Sequence, residues 1–179
     1  GDIIGFIDAG GDLTTSGLSL MLEHFRWYNA DIIVGSKRHS ASKVRYPVYR
    51  KILSLGYQLI VRLLFGLSVR DSQVGMKLYR RGVLEDVLPR LLVKQFAFDI
   101  EILAVAHHLG YARIYEAPVE LDFTGYSSVT SRSFWRVVWR TLWDTLAVFY
   151  RLRLLHYYDN VNKRKWRFDP ELNFRINVG

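Results

Sequence analysis

The sequence predicts an α/β domain built on a mostly parallel sheet flanked by helices, with an amphipathic helix toward the C-terminus. Three observations carry that expectation. Strand-length apolar runs recur at residues 3–7, 31–35 and 114–119. Between them lie stretches with apolar side chains at helical spacing. The alternation of strand and helix along the chain is the order that a layered sheet with covering helices requires.

Residues 3–7 read as a short buried strand ending at Asp8. Ala9, Gly10, Gly11 and Asp12 form a turn, and Thr14, Thr15 and Ser16 supply N-caps for a helix whose core-facing stripe is Leu18, Met21, Leu22 and Phe25. Residues 31–35 form a second buried strand with a glycine exit, and the polar, basic stretch 36–46 is a loop. Pro47 suits the first turn of the next helix, in which Ile52, Leu55, Leu59, Leu63 and Leu64 carry the apolar face.

Arg70 to Arg81 then combine a carboxylate at Asp71, a glycine at position 75 and an alternating pattern. Met76, Leu78 and Arg80 fall on one side of a strand, and Gly75, Lys77 and Tyr79 on the other. Such a segment is expected to bury one face and to aim Asp71 and Lys77 at a polar ligand; the alternative is a strand with solvated charges. A helix over 82–92, interrupted near Pro89, leads to another over 98–109 that stops at Gly110. A strand at 114–119 and a loop at 122–132 complete the layered part. The expected organisation is therefore a domain over 1–130, an amphipathic helix over 131–158 and a basic tail over 159–179.

Composition narrows the function classes. The 179 residues suffice for one domain with a sizeable core, and half are hydrophobic, which argues against disorder. There is no cysteine, so disulfides, thiol nucleophiles and Cys-based zinc sites are excluded together. The formal charge of +8 points to an anionic partner. No recognition motif favours nucleic acid. Arg62, Arg136, Arg140, Asp144 and Arg151 break the apolar runs before any reaches the roughly 18–20 residues of a bilayer span. In the 131–158 helix, Trp135, Val138, Trp139, Leu142, Leu146, Phe149 and Tyr150 form a wide aromatic and aliphatic face. With Arg136, Arg140, Arg151 and the cluster Lys163, Arg164, Lys165, Trp166 and Arg167, that composition suits a membrane surface. A helix packed on the domain with a solvated tail is the alternative.

The candidate chemistry is phosphate chemistry. Asp8 ends a strand, where open α/β sheets place their ligands, and Asp12 follows across a glycine turn. Two such carboxylates suit a hard divalent cation, or simply cap the following helix. Lys37 and Arg38 follow a strand exit. Arg50 and Ser54 share one helix face, a guanidinium and a hydroxyl placed to clamp a phosphate, or an ordinary solvated face. Asp99 and Glu101 open a helix, as charges complementing its dipole or as carboxylates facing an acceptor. His107 and His108 read as C-terminal helix residues.

These residues occur in one order: Asp8 after a strand, Gly35-Ser36-Lys37-Arg38, Arg50 and Ser54, Arg70-Asp71 with Gly75, Lys77, Tyr79, Arg80 and Arg81, Phe98 and Glu101, and Gly110-Tyr111 with Glu116, Pro118 and Val119. Together, over roughly residues 1–129, they resemble the family 2 glycosyltransferases, in the branch of dolichol-phosphate mannose synthase and the polyprenyl-phosphate glycosyltransferases. The resemblance implies a partial GT-A, Rossmann-like fold and inverting transfer of a sugar from a GDP- or UDP-sugar to a polyprenyl phosphate. It also implies an enzyme at the cytoplasmic face of a membrane. Asp8 matches the first carboxylate of the family's Asp-x-Asp motif for Mg²⁺ or Mn²⁺, and Asp12 a third metal-binding position. Arg38, Arg50 and Ser54 match the positions that bind the acceptor phosphate, and Asp71 and Lys77 the segment lining the site, which makes them the catalytic candidates. An acceptor that is already anionic needs no strong general base; the site must instead neutralise the leaving diphosphate.

Three departures from the pattern set further expectations. Gly10 stands where the family has the second carboxylate. Gly125-Tyr126-Ser127-Ser128 lacks the lysine of the late Gly-x-Ser-Lys segment. The family's first strand and base pocket do not precede Gly1, so the 179-residue piece is expected to be N-terminally truncated and inactive or very weak. A catalytically dead, glycosyltransferase-like binding or scaffold subunit is the alternative function.

Overall fold

The computed structural model describes residues 1–8, 17–44, 48–93, 97–121, 131–159, 166–172 and 174–177. The chain divides into two compact units, Gly1–Arg81 with Tyr111–Ser127 and Gly82–Gly110 with Ser128–Gly179. The second unit thus joins residues 82–110 to the part of the chain after residue 127.

The first unit is a sheet with helices. Strand β1 (Ile3–Ile7) precedes helix α1 (Gly17–Trp27), then come β2 (Ile32–Ser36), the short β3 (Lys43–Val44), helix α2 (Val48–Phe65) and β4 (Met76–Arg80). After the excursion through the second unit, β5 (Ile114–Pro118) and the short β6 (Glu120–Leu121) return to it. The main sheet has the order β1-β4-β2-β5, and β3 pairs with β6 apart from it. The α/β class stands, and the arrangement is consistent with part of a GT-A domain. As expected, most of the main sheet runs one way, since β1, β2 and β5 share a direction; the exception is β4, which is antiparallel to both β1 and β2. The reason lies in the loop over 66–75, which feeds the chain into the sheet from the end where β1 and β2 leave it.

The core forms where α1 lies on the sheet. Met21 and Phe25 pack with Ile33, Met76, Leu78, Ala117 and Val119, and Leu18 and Leu22 add to the rim, as the helical spacing predicts. β4 corrects the one-sided reading of its sequence. As an inner strand it buries both faces, and Lys77 and Tyr79 are as inaccessible as Met76 and Leu78. β1, at the sheet edge, leaves Phe6 and Ile7 exposed rather than buried. Asp31 is buried at the entry to β2 and accepts hydrogen bonds from Arg113 Nε at 3.2 Å and Nη2 at 2.6 Å, a structural pair. On α2, Val61 and Phe65 are buried, while Ile52, Leu55, Leu59 and Leu63 form an exposed ridge.

The second unit contains helix α3 (Arg81–Val87), which begins at its border, a 3-10 turn at Leu88–Arg90, helix α4 (Phe98–His108), the long helix α5 (Ser131–Arg153) and a hairpin of β7 (Trp166–Asp169) and β8 (Phe174–Asn177). Pro89 sits in the 3-10 turn and Gly110, at φ 99°, ends α4, both where the sequence places breaks. The hairpin replaces part of the expected basic tail. Residues 160–165, which carry Lys163, Arg164 and Lys165, lie outside the described residues.

Glu101 is the centre of this unit. Its carboxylate is wholly buried and accepts from the Leu92 and Val93 amides at 3.1 and 2.8 Å and from the Tyr158 hydroxyl at 2.5 Å. Arg151 lies 3.6 Å from it, and Arg90 Nη1 donates to the Tyr158 carbonyl at 2.6 Å. Glu101 is thus an internal anchor, neither a helix-dipole charge nor an acceptor-facing group. Burial, then the Glu101 charge and the hydrogen bond to it, push the Tyr158 phenol well above its ordinary range. A phenol raised in the folded state stabilises fully below its unfolded pKa of about 10, and that contribution is lost as pH rises toward the folded-state value. The stability difference between the wild type and Tyr158→Phe is therefore expected to hold at neutral pH and to shrink above about pH 10 in urea titrations; a constant difference would count against the coupling.

Candidate functional site

The antiparallel entry of β4 assembles the site. Because the 66–75 loop returns at the end of the sheet where β1 and β2 finish, it brings Asp71 to the residues that follow β2. Lys37 Nζ stands 3.8 Å from Asp71 Oδ2. Asp71 is buried; its Oδ1 accepts weakly from the Gln73 amide at 3.4 Å, and its Oδ2 takes no hydrogen bond among the described residues. Arg38, the next residue, turns toward α2, where Nη2 donates to Ser54 Oγ at 2.7 Å and Nη1 to Gln58 Oε1.

Two of the three residues expected to bind the acceptor phosphate, Arg38 and Ser54, are thus brought into direct contact with each other. Gln58, the other partner of Arg38, was not singled out in the sequence. The signal was available, because Gln58 lies one helical turn beyond Ser54 on the face that Arg50 and Ser54 define. Arg50 belongs to α2 by its backbone, and its side chain lies outside the described residues.

Lys77 behaves differently from the expectation that it faces a ligand. It is buried, and its ammonium donates to the Val74 carbonyl at 2.6 Å, holding the end of the loop. Asp8 sits exposed at the end of β1, and its amide donates to the Gly75 carbonyl at 2.7 Å. Asp12 and Gly10 lie outside the described residues, as does the 125–128 segment. No group of three His, Asp or Glu side chains able to hold a metal occurs among the described residues. Asp8 alone does not make up a cation site, so the described side chains do not by themselves fit the expected ion.

What the arrangement offers is a planar guanidinium beside an ammonium, both on a loop after a central strand, with a buried carboxylate behind the ammonium. Such a site suits an anion carrying several oxygens. The chain is 31% identical to an undecaprenyl-phosphate mannosyltransferase of Micrococcus luteus over 120 residues, covering 66% of this chain and 48% of that protein. Dolichyl-phosphate beta-glucosyltransferases are similar too, and these similarities support a polyprenyl-phosphate glycosyltransferase family for the chain. The Drosophila melanogaster protein is 33% identical over 85 residues, 46% of this chain and 26% of that one. The Homo sapiens protein is 29% identical over 106 residues, 58% of this chain and 32% of that one. The chain thus spans about half or less of the length of these curated relatives. No family model matches it.

Proposed function

We propose that this chain is the acceptor-binding part of a glycosyltransferase that moves a sugar from a nucleotide-sugar donor, GDP- or UDP-linked, to a polyprenyl phosphate with inversion. The observation that carries the reading is the Arg38 guanidinium held by Ser54 and Gln58 next to the Lys37–Asp71 pair. The similarity to these relatives supports the acceptor class. In this reading Arg38 exchanges its side-chain partners for phosphate oxygens, and Arg50 and Ser54 complete the clamp. Lys37, held near Asp71, adds positive charge. The acceptor oxygen is already anionic, so it attacks the anomeric carbon directly while the nucleoside diphosphate departs with the bonding electrons. Asp71 orders the cations of the site, and Lys77 keeps the loop in place. Asp8 and Asp12 are the proposed ligands of Mg²⁺ or Mn²⁺, and the roles given to the other residues do not depend on that ion.

Arg38→Ala in the intact protein is expected to lower kcat/KM for the polyprenyl phosphate by about 100-fold, the equivalent of about 3 kcal/mol. Arg38→Lys should recover little, because an ammonium cannot bridge Ser54 and Gln58 as the planar fork does. The measurement is sugar transfer from GDP- and UDP-sugars to a polyprenyl phosphate. Transfer by Arg38→Ala at the wild-type rate would sink the assignment.

The place of action proposed is the cytoplasmic face of a membrane. No described helix is long and apolar enough to cross a bilayer. On α5, however, Trp135, Trp139 and Trp143 recur one turn apart and are 60%, 70% and 72% exposed, with Leu146, Tyr150 and Leu154 extending the ridge. Arg136 and Arg140 are exposed beside it, and Thr141, Thr145, Val148 and Leu152 are buried on the opposite side. A solvent-facing row of indoles flanked by guanidiniums suits the headgroup layer of anionic lipid. Replacing the three tryptophans by alanine is expected to weaken binding to phosphatidylglycerol vesicles by about 10-fold or more and to remove the blue shift of the emission on binding. Unchanged partitioning would overturn the surface reading.

A further inference from the structure

Glu116 is the one carboxylate of β5, and neither the fold nor the acceptor clamp accounts for its contacts. It stands in register with Val34 of β2, which is in turn in register with Lys77 of β4. Paired residues of a sheet project to the same side, so Glu116 and Lys77 rise on either side of Val34, on the face away from Ile33 and the α1 core. From there the Glu116 Oε1 accepts from two consecutive amides of the loop, Arg70 N at 2.5 Å and Asp71 N at 3.1 Å. Lys77 secures the same loop by its bond to the Val74 carbonyl.

We infer that Glu116 is a positioning residue for Asp71. A loop has no ladder to fix its backbone, and two adjacent amides pointing one way need an acceptor. Glu116 supplies it from a rigid strand. The result is to set the backbone of Asp71 itself, so that its buried carboxylate has Oδ1 toward Gln73 and Oδ2 toward Lys37. The strand that holds Asp71 is parallel to and hydrogen-bonded with the strand that leads into Lys37 and Arg38. Glu116 therefore keeps the loop carboxylate and the two cations in one frame. Its Oε1 is engaged by the loop amides. The inference rests on the proposed role of Asp71 in the transfer site.

The test compares Glu116→Ala, Glu116→Gln and Asp71→Asn in the intact protein. Glutamine retains an acceptor oxygen for both amides, and alanine retains none. Glu116→Ala is expected to speed hydrogen exchange at the Arg70 and Asp71 amides by about tenfold or more. It should lower kcat by about 100-fold, as misplacement of a site group by about 1 Å does. The acceptor KM should stay within about threefold. Glu116→Gln should restore both amide protection and most of kcat. Unchanged amide protection in Glu116→Ala, or equal loss of kcat in the glutamine and alanine variants, would overturn the inference. If Asp71→Asn is inactive and Glu116→Ala is fully active, the positioning role alone fails. If Asp71→Asn itself transfers at the wild-type rate, the role of Asp71 fails and takes the inference with it.

Discussion

Replacing Glu101 with alanine is expected to cost the second unit about 3–5 kcal/mol, a large share of the stability of an ordinary domain. The side chain is 0% exposed and serves four groups from three parts of the chain. Alanine would leave the Leu92 and Val93 amides and the Tyr158 hydroxyl without their acceptor and the Arg151 guanidinium without its counter-charge, all in a place water reaches poorly. Glu101→Gln keeps an acceptor oxygen and loses only the charge, so its cost should be smaller, about 1–3 kcal/mol. Replacing the cluster together, as Glu101→Leu with Tyr158→Phe and Arg151→Met, should recover part of the loss, because no charge is then left buried alone. Urea unfolding followed by circular dichroism measures all three. A midpoint for Glu101→Ala equal to that of the wild type would refute the account.

Gly75→Ala is the second substitution with a large expected effect. A Cβ at Gly75 would lie 1.8 Å from Asp8 Oδ2, 2.0 Å from its Cγ and 2.6 Å from its Cβ. Rotation of the carboxylate relieves the first two contacts but not the third, because the Asp8 Cβ is fixed by a backbone already hydrogen-bonded to the Gly75 carbonyl. The end of β1 must therefore move away from β4. The expected cost is about 1–3 kcal/mol, typical of overpacking without relaxation. Adding Asp8→Ala should recover little, and adding Asp8→Gly should recover most, because only glycine removes the third contact. Thermal melts of the three variants decide the point; equal stability of the two double variants would contradict it. Gly75 is thus required by the close approach of Asp8, a constraint that no local pattern around position 75 expresses.

Much of the fold was legible because it follows from periodicity and punctuation. The stripe Leu18, Met21, Leu22 and Phe25 faces the core, Pro89 and Gly110 mark the breaks, and the two strands at 32–36 and 114–118 lie where apolar runs place them. The partners of Arg38 were partly legible as well, since the spacing of helical residues puts Ser54 and Gln58 on one face. Other features were hidden. Alternation along β4 suggested a one-sided strand, but its burial depends on having neighbours on both edges. The apolar residues Ile52, Leu55, Leu59 and Leu63 form a regular helical ridge, and nothing in that regularity says whether a partner covers it. Glu101 and Glu116 look alike as isolated carboxylates; their roles depend on amides 8 or 9 and 45 or 46 residues away.

By itself the sequence determined the α/β class, the identity of most elements, the excess of positive charge and the helix face that carries Ser54 and Gln58. Those properties arise from local periodicity, composition and the chemistry of single side chains. Tertiary structure alone decided that β4 runs against its neighbours, and with it that Asp71 meets Lys37, that Lys77 is buried and that Asp8 lies against Gly75. Strand direction is set by which end of the sheet a loop returns to, a contact between residues distant in the chain, and no spacing along the chain records it.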